Sequence, residues 1–368
     1  MSSAKTSIST LDDIIELINW IPEDVDSICI MVSNFDESEG AGNVAIRQIE
    51  ALQDAGYQCS VATFETNASI QPDNEIILSS DTSRSITSQN IDRLLYAFSP
   101  AHILKASLEL RQYDLLVVHQ PVLCPIALAT KQFHNSETVY YNHHITWPSE
   151  KSGTIGKIFG YTGYLPLLYA SSRLDHVVSV SIHSMGDYKK LFSKTGPVIY
   201  NSIDERVYNT DVDGSEIRRK YGLDDSALIL FVGRIAESKQ VHQLICAYKD
   251  VLREVPEAKL IIVGRSENDD YLDRLKKLAT STNGEVIFTG VVPEDDLPKF
   301  YAAADVYASC SIKEGFNLTI AEAEACGTPT VAYDIGAHSE VMENGMLVQP
   351  NRKDEFAGAI IETIQTRI

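Results

Sequence analysis

The chain has 368 residues, 44% hydrophobic and 22% charged, with a net charge of −20. That length exceeds one open-sheet core and fits two domains, while the apolar content argues against a disordered or fibrous protein. The acidic balance argues against broad binding of nucleic acid, and six scattered cysteines with no C-x-x-C pair argue against a zinc site or disulfide framework.

The N-terminus carries one lysine and then an acidic amphipathic run, Leu11–Trp20, unlike the charged and apolar regions of a signal peptide. No stretch reaches the ~18 to 20 apolar residues of a spanning helix. A cytoplasmic protein, at most peripheral to a membrane, is expected. Short β-branched runs at Ile28–Ser33, Gln58–Phe64, Leu115–His119, Thr138–Asn142, Val177–Val180 and Val198–Tyr200 alternate with amphipathic segments. A second series follows at Ala227–Val232, Lys259–Val263, Val286–Phe288, Val306–Ala308 and Thr330–Tyr333, with helices at Val241–Val255, Asp270–Ala279 and Asp354–Arg367. This alternation predicts an α/β fold of two Rossmann-like doubly wound domains facing across a cleft. The boundary is expected near residue 198, giving domains 1–198 and 199–368, with the last helix or Leu11–Trp20 supplying cross-domain packing.

The second series carries the chemistry. A strand ends at Gly233, followed by Arg234, a short loop, and Lys239 just before a helix. Two cations beside a helix N-terminus suit a diphosphate, because the dipole, the free N–H groups and both side chains attract an anion. Further on, Glu314 lies in a loop, and Gly315, Phe316, Asn317 and Leu318 bring backbone amides to the start of a helix carrying Glu322 and ending at Gly327. Carboxylates there can accept bonds from ribose and sugar hydroxyls. Glu324 is read as part of a solvated face. In the first series the turn Gly40–Ala45 fits a loose G-x-G-x-x-[G/A] pattern with Glu65 near the acidic position, although Asp36, Glu37 and Glu39 would repel a pyrophosphate. Asp211-Val212-Asp213 has the form of a metal-binding D-x-D but is read as solvated loop. The segment TVYYNHHITWP ends a strand with His143 and His144, only one of which can face a ligand if the chain is extended.

Through Gly233-Arg234 with Lys239, the E-x7-E pair Glu314/Glu322 in EGFNLTIAEAEACGTP, and VAYDIGAHSE, the second half resembles glycosyltransferase family 4, of the GT-B architecture. The likeness extends through the hinge-like VIYNSID, where Ser202 replaces the family's glycine, to nearly the whole chain. It implies a retaining, metal-independent transfer from a nucleoside-diphosphate sugar of UDP or GDP type, with no further cofactor. Arg234 and Lys239 would hold the diphosphate, Glu322 the ribose, and Glu314 the donor sugar or the β-phosphate side. His143 would line the donor sugar, and Gly40 and Gly42 would approach the phosphates. The expected partners are the donor and a glycan or lipid-linked acceptor. The aromatic, basic stretch Lys151–Arg173 offers a peripheral membrane contact or a packed helix. The alternatives are a nicotinamide-dependent oxidoreductase using Gly40–Ala45, a nucleotide-sugar epimerase of the same architecture, and a silent binding protein.

Overall fold

Every strand of the two main sheets runs parallel to its neighbours. The computed structural model describes residues 25–36, 40–78, 86–147, 157–158, 160–223 and 226–367, so the expected helix Leu11–Trp20, the acidic Glu37 and Glu39, and residues 151–156 lie outside the described residues. The chain divides into two compact units, Met1–Ser202 and Ile203–Ile368.

In the first unit, β1 (Ser27–Met31), β2 (Gln58–Thr63), β3 (Asn74–Ile77), β4 (Leu115–Val118), β5 (Glu137–Asn142) and β6 (His176–Ser179) lie in the order β3-β2-β1-β4-β5-β6. The second unit repeats that order as β9-β8-β7-β10-β11-β12, with β7 (Leu228–Val232), β8 (Lys259–Val263), β9 (Glu285–Gly290), β10 (Val306–Ser309), β11 (Thr330–Tyr333) and β12 (Gly345–Val348). Each unit is therefore the doubly wound α/β fold that the sequence predicts. The central strands read as unbroken apolar runs, such as Leu-Ile-Leu-Phe-Val in β7, because helices cover both faces and every side chain is buried.

Strand order reverses between β1 and β4 and between β7 and β10, and the carboxyl ends of those strands are where an open α/β sheet binds ligands. The helices that matter to these edges are α1 (Gly40–Asp54), α2 (Ile182–Phe192), α3 (Val241–Val251), α4 (Asp269–Thr280), α5 (Leu297–Ala303), α6 (Leu318–Ala325) and α7 (Lys353–Arg367). From α7, Phe356, Ile360 and Ile364 are buried in the second unit's core with Ile229, Tyr248 and Ile262.

Two local readings change, and the stretch 151–173 takes one of its two expected forms in part. Val198–Tyr200 contributes only an isolated bridge, Ser179 to Val198, rather than a strand. The edge strands β3 and β12 were not expected; each buries one residue, Ile76 and Val348, and carries only a short apolar stretch, Ile76-Ile77 and Met346–Val348. The described part of 151–173 forms a π-helical turn at Gly160–Tyr164 and a helix at Leu165–Ser171 whose Leu167 and Leu168 are buried, while Ile158, Tyr161 and Tyr169 are 55%, 55% and 57% exposed. Among the described residues no helix is long and apolar enough to cross a membrane.

Candidate functional site

The loop leaving β7 continues the sheet pattern for a few residues before it turns. Gly233 N–H donates to Val263 O at 3.0 Å, Ile235 N–H to Arg265 O at 2.8 Å, and Glu267 N–H to Ile235 O at 3.2 Å. Gly264, at φ +136°, allows this approach, because a Cβ there would lie 2.0 Å from the Gly233 carbonyl oxygen. The backbone around Arg234 is thereby fixed while its side chain stays exposed, paired with Glu267. A surface pair of this kind contributes at most about 1 kcal/mol, so an anion can take the guanidinium from Glu267 at small cost.

Lys239 follows in a single 3₁₀ turn, and Gln240 at φ +50° then redirects the chain into α3. Its ammonium is held by Glu314 from the loop after β10. The two loops meet because Ile312 N–H donates to Ser238 O at 3.0 Å across the point where strand order reverses. The pair is 17% and 12% exposed. Burial pushes the Glu314 carboxyl up, but the adjacent Lys239 charge and the bonds from Lys239 and Ser311 outweigh it and hold the group below the usual range. Glu314 is thus an ionised acceptor, and Lys239 keeps N–H donors beyond the one it gives away.

The turn from Glu314 into α6 is set by Asn317, in the left-handed region at φ +84°. Its Nδ2–H donates to His338 Nε2 at 2.9 Å, and His338 Nδ1–H donates to Tyr333 O at 2.6 Å. With one nitrogen donating and the other accepting, the buried His338 is neutral, and burial lowers its pKa accordingly. The Tyr307 hydroxyl shares a 2.6 Å bond with Thr319, which donates to Asn317 Oδ1 at 2.7 Å. Burial pushes the Tyr307 hydroxyl up, Thr319 pulls it down, and the charges of Glu314 and Glu322 both add to the rise. Glu322 is buried in α6 and accepts from the Tyr301 hydroxyl at 2.9 Å. The helix ends as expected, with Gly327 at φ +77° and its N–H on Glu324 O.

Glu324 corrects the sequence reading. It is no solvated helix position: its carboxylate accepts from Thr330 Oγ1 at 2.7 Å and from the Glu343 N–H at 2.8 Å, tying the end of α6 to the sheet. The Asp211–Asp213 segment is exposed loop, and Asp213 accepts from Ser215 N–H and Oγ, each at 2.8 Å, at the start of a short helix. His338, Tyr301 and Glu267 had no assigned role. His338 stood inside a recognised motif, whereas nothing local marks Tyr301 or Glu267 as neighbours of Glu322 and Arg234.

In the first unit, β4 delivers His119 and β5 delivers His143 to the carboxyl edge. His119 Nδ1 and His143 Nε2 are 2.9 Å apart, and His119 Nε2 lies 3.0 Å from Gln48 Oε1 of α1. The His119 ring stacks on Tyr141 at 5.0 Å. Burial, and then the neighbouring His144, bring the His143 pKa down to about 3. His144 is exposed, with Nε2 at 3.2 Å from Thr146 Oγ1, so the adjacent histidines do diverge. His119 escaped notice because it reads as the last residue of an apolar strand.

Gly40 begins α1 with nothing within 4 Å of a built Cβ, but a Cβ on Gly42 would lie 2.4 Å from Asp36 O and 2.7 Å from Asn34 O. The close approach that makes Gly42 necessary is thus made by the chain's own loop. Glu65, the acidic residue a nicotinamide ribose would need, pairs with Arg93 at 3.4 Å, and Arg93 also donates to Asn34 at 2.6 Å. Neither feature favours the oxidoreductase.

The sequence profile described as Glycosyltransferase Family 4 matches residues 38–207, and the one described as Glycosyl transferases group 1 matches residues 213–367. An uncharacterized glycosyltransferase of Methanocaldococcus jannaschii is 36% identical over 170 residues, 44% of this chain and 43% of that protein. A GDP-mannose-dependent alpha-(1-6)-phosphatidylinositol monomannoside mannosyltransferase of Mycobacterium tuberculosis is 32% identical over 165 residues, 42% of each. The alignment spans less than half the length of these curated relatives. Among solved structures, HepE of Anabaena in complex with UDP and glucose superposes with a TM-score of 0.76 at 22% identity, covering 93% of this chain and 90% of that one.

Proposed function

We propose that this chain, which belongs to the GT-B glycosyltransferases of the family 4 type, transfers a sugar from a nucleoside-diphosphate sugar to an acceptor hydroxyl. The observation that carries the reading is the Lys239–Glu314 contact where strand order reverses, with Arg234 on the same loop. As the bond from sugar to diphosphate breaks, negative charge grows on the leaving phosphate. Arg234, Lys239 and the amides at the start of α6 oppose it without a metal, an electrostatic effect for which one preorganised donor contributes about 3 kcal/mol.

Glu314, ionised and acceptor-only, suits sugar hydroxyls and holds Lys239 in place. Glu322 suits the ribose, its bond to Tyr301 being one a sugar hydroxyl can share. In a retaining transfer the leaving phosphate oxygen itself accepts the incoming hydroxyl's proton, so no separate base is required. His143 lines the sugar side. A lipid-linked glycan is the favoured acceptor class, supported by the exposed Ile158, Tyr161 and Tyr169 as a peripheral membrane contact.

The test is incubation of the purified protein with UDP- and GDP-sugars and glycolipid acceptors, with and without a chelator. Release of nucleoside diphosphate that depends on acceptor and survives the chelator, with the anomeric configuration kept in the product, supports the proposal. Isomerisation of the donor without acceptor would replace it with the epimerase.

A further inference from the structure

The histidine pair at the edge of the first sheet contains more than one residue needs. Gln48 and His119 are both buried, at 4% and 2% exposure, and Gln48 Oε1 and both His119 ring nitrogens lie on a chain that ends at His143. A contact between two imidazole nitrogens at 2.9 Å is a hydrogen bond only when one carries a proton and the other does not. The direction is set at the far end: with the Gln48 amide oriented so that Oε1 faces the ring, as here, His119 Nε2 carries the proton. A neutral His119 then presents a bare Nδ1, which can only accept, and His143 Nε2 must donate to it. The same geometry held in reverse would give the opposite tautomer of His143, so the identity of residue 48 chooses between them.

We infer that Gln48 and His119 are positioning residues that fix His143 in its Nε2–H tautomer and leave Nδ1 as a hydrogen-bond acceptor for a substrate hydroxyl. The consequence for chemistry rests on the proposed glycosyltransferase reading; the tautomer itself does not. Three further contacts make the arrangement rigid. His119 stacks on Tyr141, Tyr141 donates to Ile199 O at 3.4 Å, and the Ser184 hydroxyl at the start of α2 donates to the His143 carbonyl at 3.0 Å. Burial lowers the pKa of both histidines, in keeping with two neutral rings sharing one N–H. Such outer partners fix which imidazole nitrogen is available to a substrate.

The first experiment needs no substrate. Long-range proton–nitrogen correlation spectra of the full, isotope-labelled chain at neutral pH report the tautomer of each ring. The wild-type protein should show His143 protonated at Nε2. Gln48→Leu, which removes the acceptor, should move His143 toward the Nδ1–H form, and Gln48→Glu, which keeps an acceptor there, should restore it. An Nδ1–H tautomer in the wild-type protein, or an unchanged one in Gln48→Leu, would overturn the inference. The second experiment follows nucleotide release from UDP- and GDP-sugars. Gln48→Leu should lower kcat about tenfold, the worth of one hydrogen bond lost from the reacting complex, with donor KM unchanged and Gln48→Glu recovering most of it. A shifted tautomer with unchanged kcat would overturn the link to the reaction. Absence of any wild-type turnover would instead count against the proposed function, while the spectra would still decide the tautomer.

Discussion

Replacing Lys239 with methionine keeps the side-chain stem and removes only the charge that faces Glu314. The partners are 17% and 12% exposed, so the glutamate is left nearly buried and unpaired, a situation that costs about 3 to 5 kcal/mol. The residual solvent contact favours the lower figure, about 3 kcal/mol. For a unit of this size that is a fall in Tm of about 6 to 12 °C. The loss also depends on pH in a defined direction. In the wild-type protein the Glu314 pKa lies below its ordinary value, so the pair's contribution is present above the unfolded carboxyl pKa and is lost as pH falls through the folded one. In Lys239→Met the largest opposing influence is gone, burial outweighs what Ser311 and His338 still contribute and the folded pKa lies above the unfolded one, so the variant loses stability as pH rises from about 4.3 toward neutrality. Thermal unfolding of both proteins across pH 4 to 8 should show a gap that is small at the acid end and widens upward. A gap under about 1 kcal/mol at pH 7, or one that does not narrow in acid, would refute the buried pair.

Glu324→Ala leaves the Thr330 hydroxyl and the Glu343 N–H without their acceptor, and should cost about 2 to 3 kcal/mol in denaturant unfolding while nucleotide affinity, measured by calorimetry, stays unchanged. Gly42→Ala forces a Cβ to within 2.4 Å of Asp36 O and should destabilise by about 1 to 3 kcal/mol, whereas Gly40→Ala meets nothing and should be neutral or slightly stabilising in the same assay. Because His143 is neutral in the folded state down to about pH 3, acid favours the unfolded chain, which takes up a proton near pH 6.5. Stability should therefore fall by up to about 2 kcal/mol between pH 6.5 and 5 on account of His143, and His143→Gln should flatten that slope.

What was legible in the sequence follows from where apolar runs and glycines are obligatory. The inner strands are buried on both faces, so their β-branched runs stand out, and the repeating strand–helix order leaves little choice of fold. Edge strands β3 and β12 bury one residue each, and their apolar stretches are short, Ile76-Ile77 and Met346–Val348. The glycines at Gly233 and Gly327 bear positive φ angles, which explains why the loop and helix end around them were readable. Pairing was not readable. Glu267, Tyr301 and His119 reach their partners across 33, 21 and 24 positions of sequence, and nothing local announces such contacts. Glu324 was misread because two residues away Glu322 faces a buried tyrosine; the side of a helix that meets the sheet and the side that meets a neighbouring helix are both buried here.

The most direct test of the central claim is calorimetric titration of UDP and GDP into the wild-type protein and Arg234→Ala. Arg234 is half exposed and held by one surface pair, so its removal should leave unfolding within about 1 kcal/mol of wild type. The account predicts that one nucleoside diphosphate binds and, at a hundred times its Kd, stabilises the folded chain by about 2.7 kcal/mol, and that Arg234→Ala binds it at least tenfold more weakly, a loss of about 1.4 kcal/mol. Binding of neither nucleotide, or equal binding by Arg234→Ala, would contradict it.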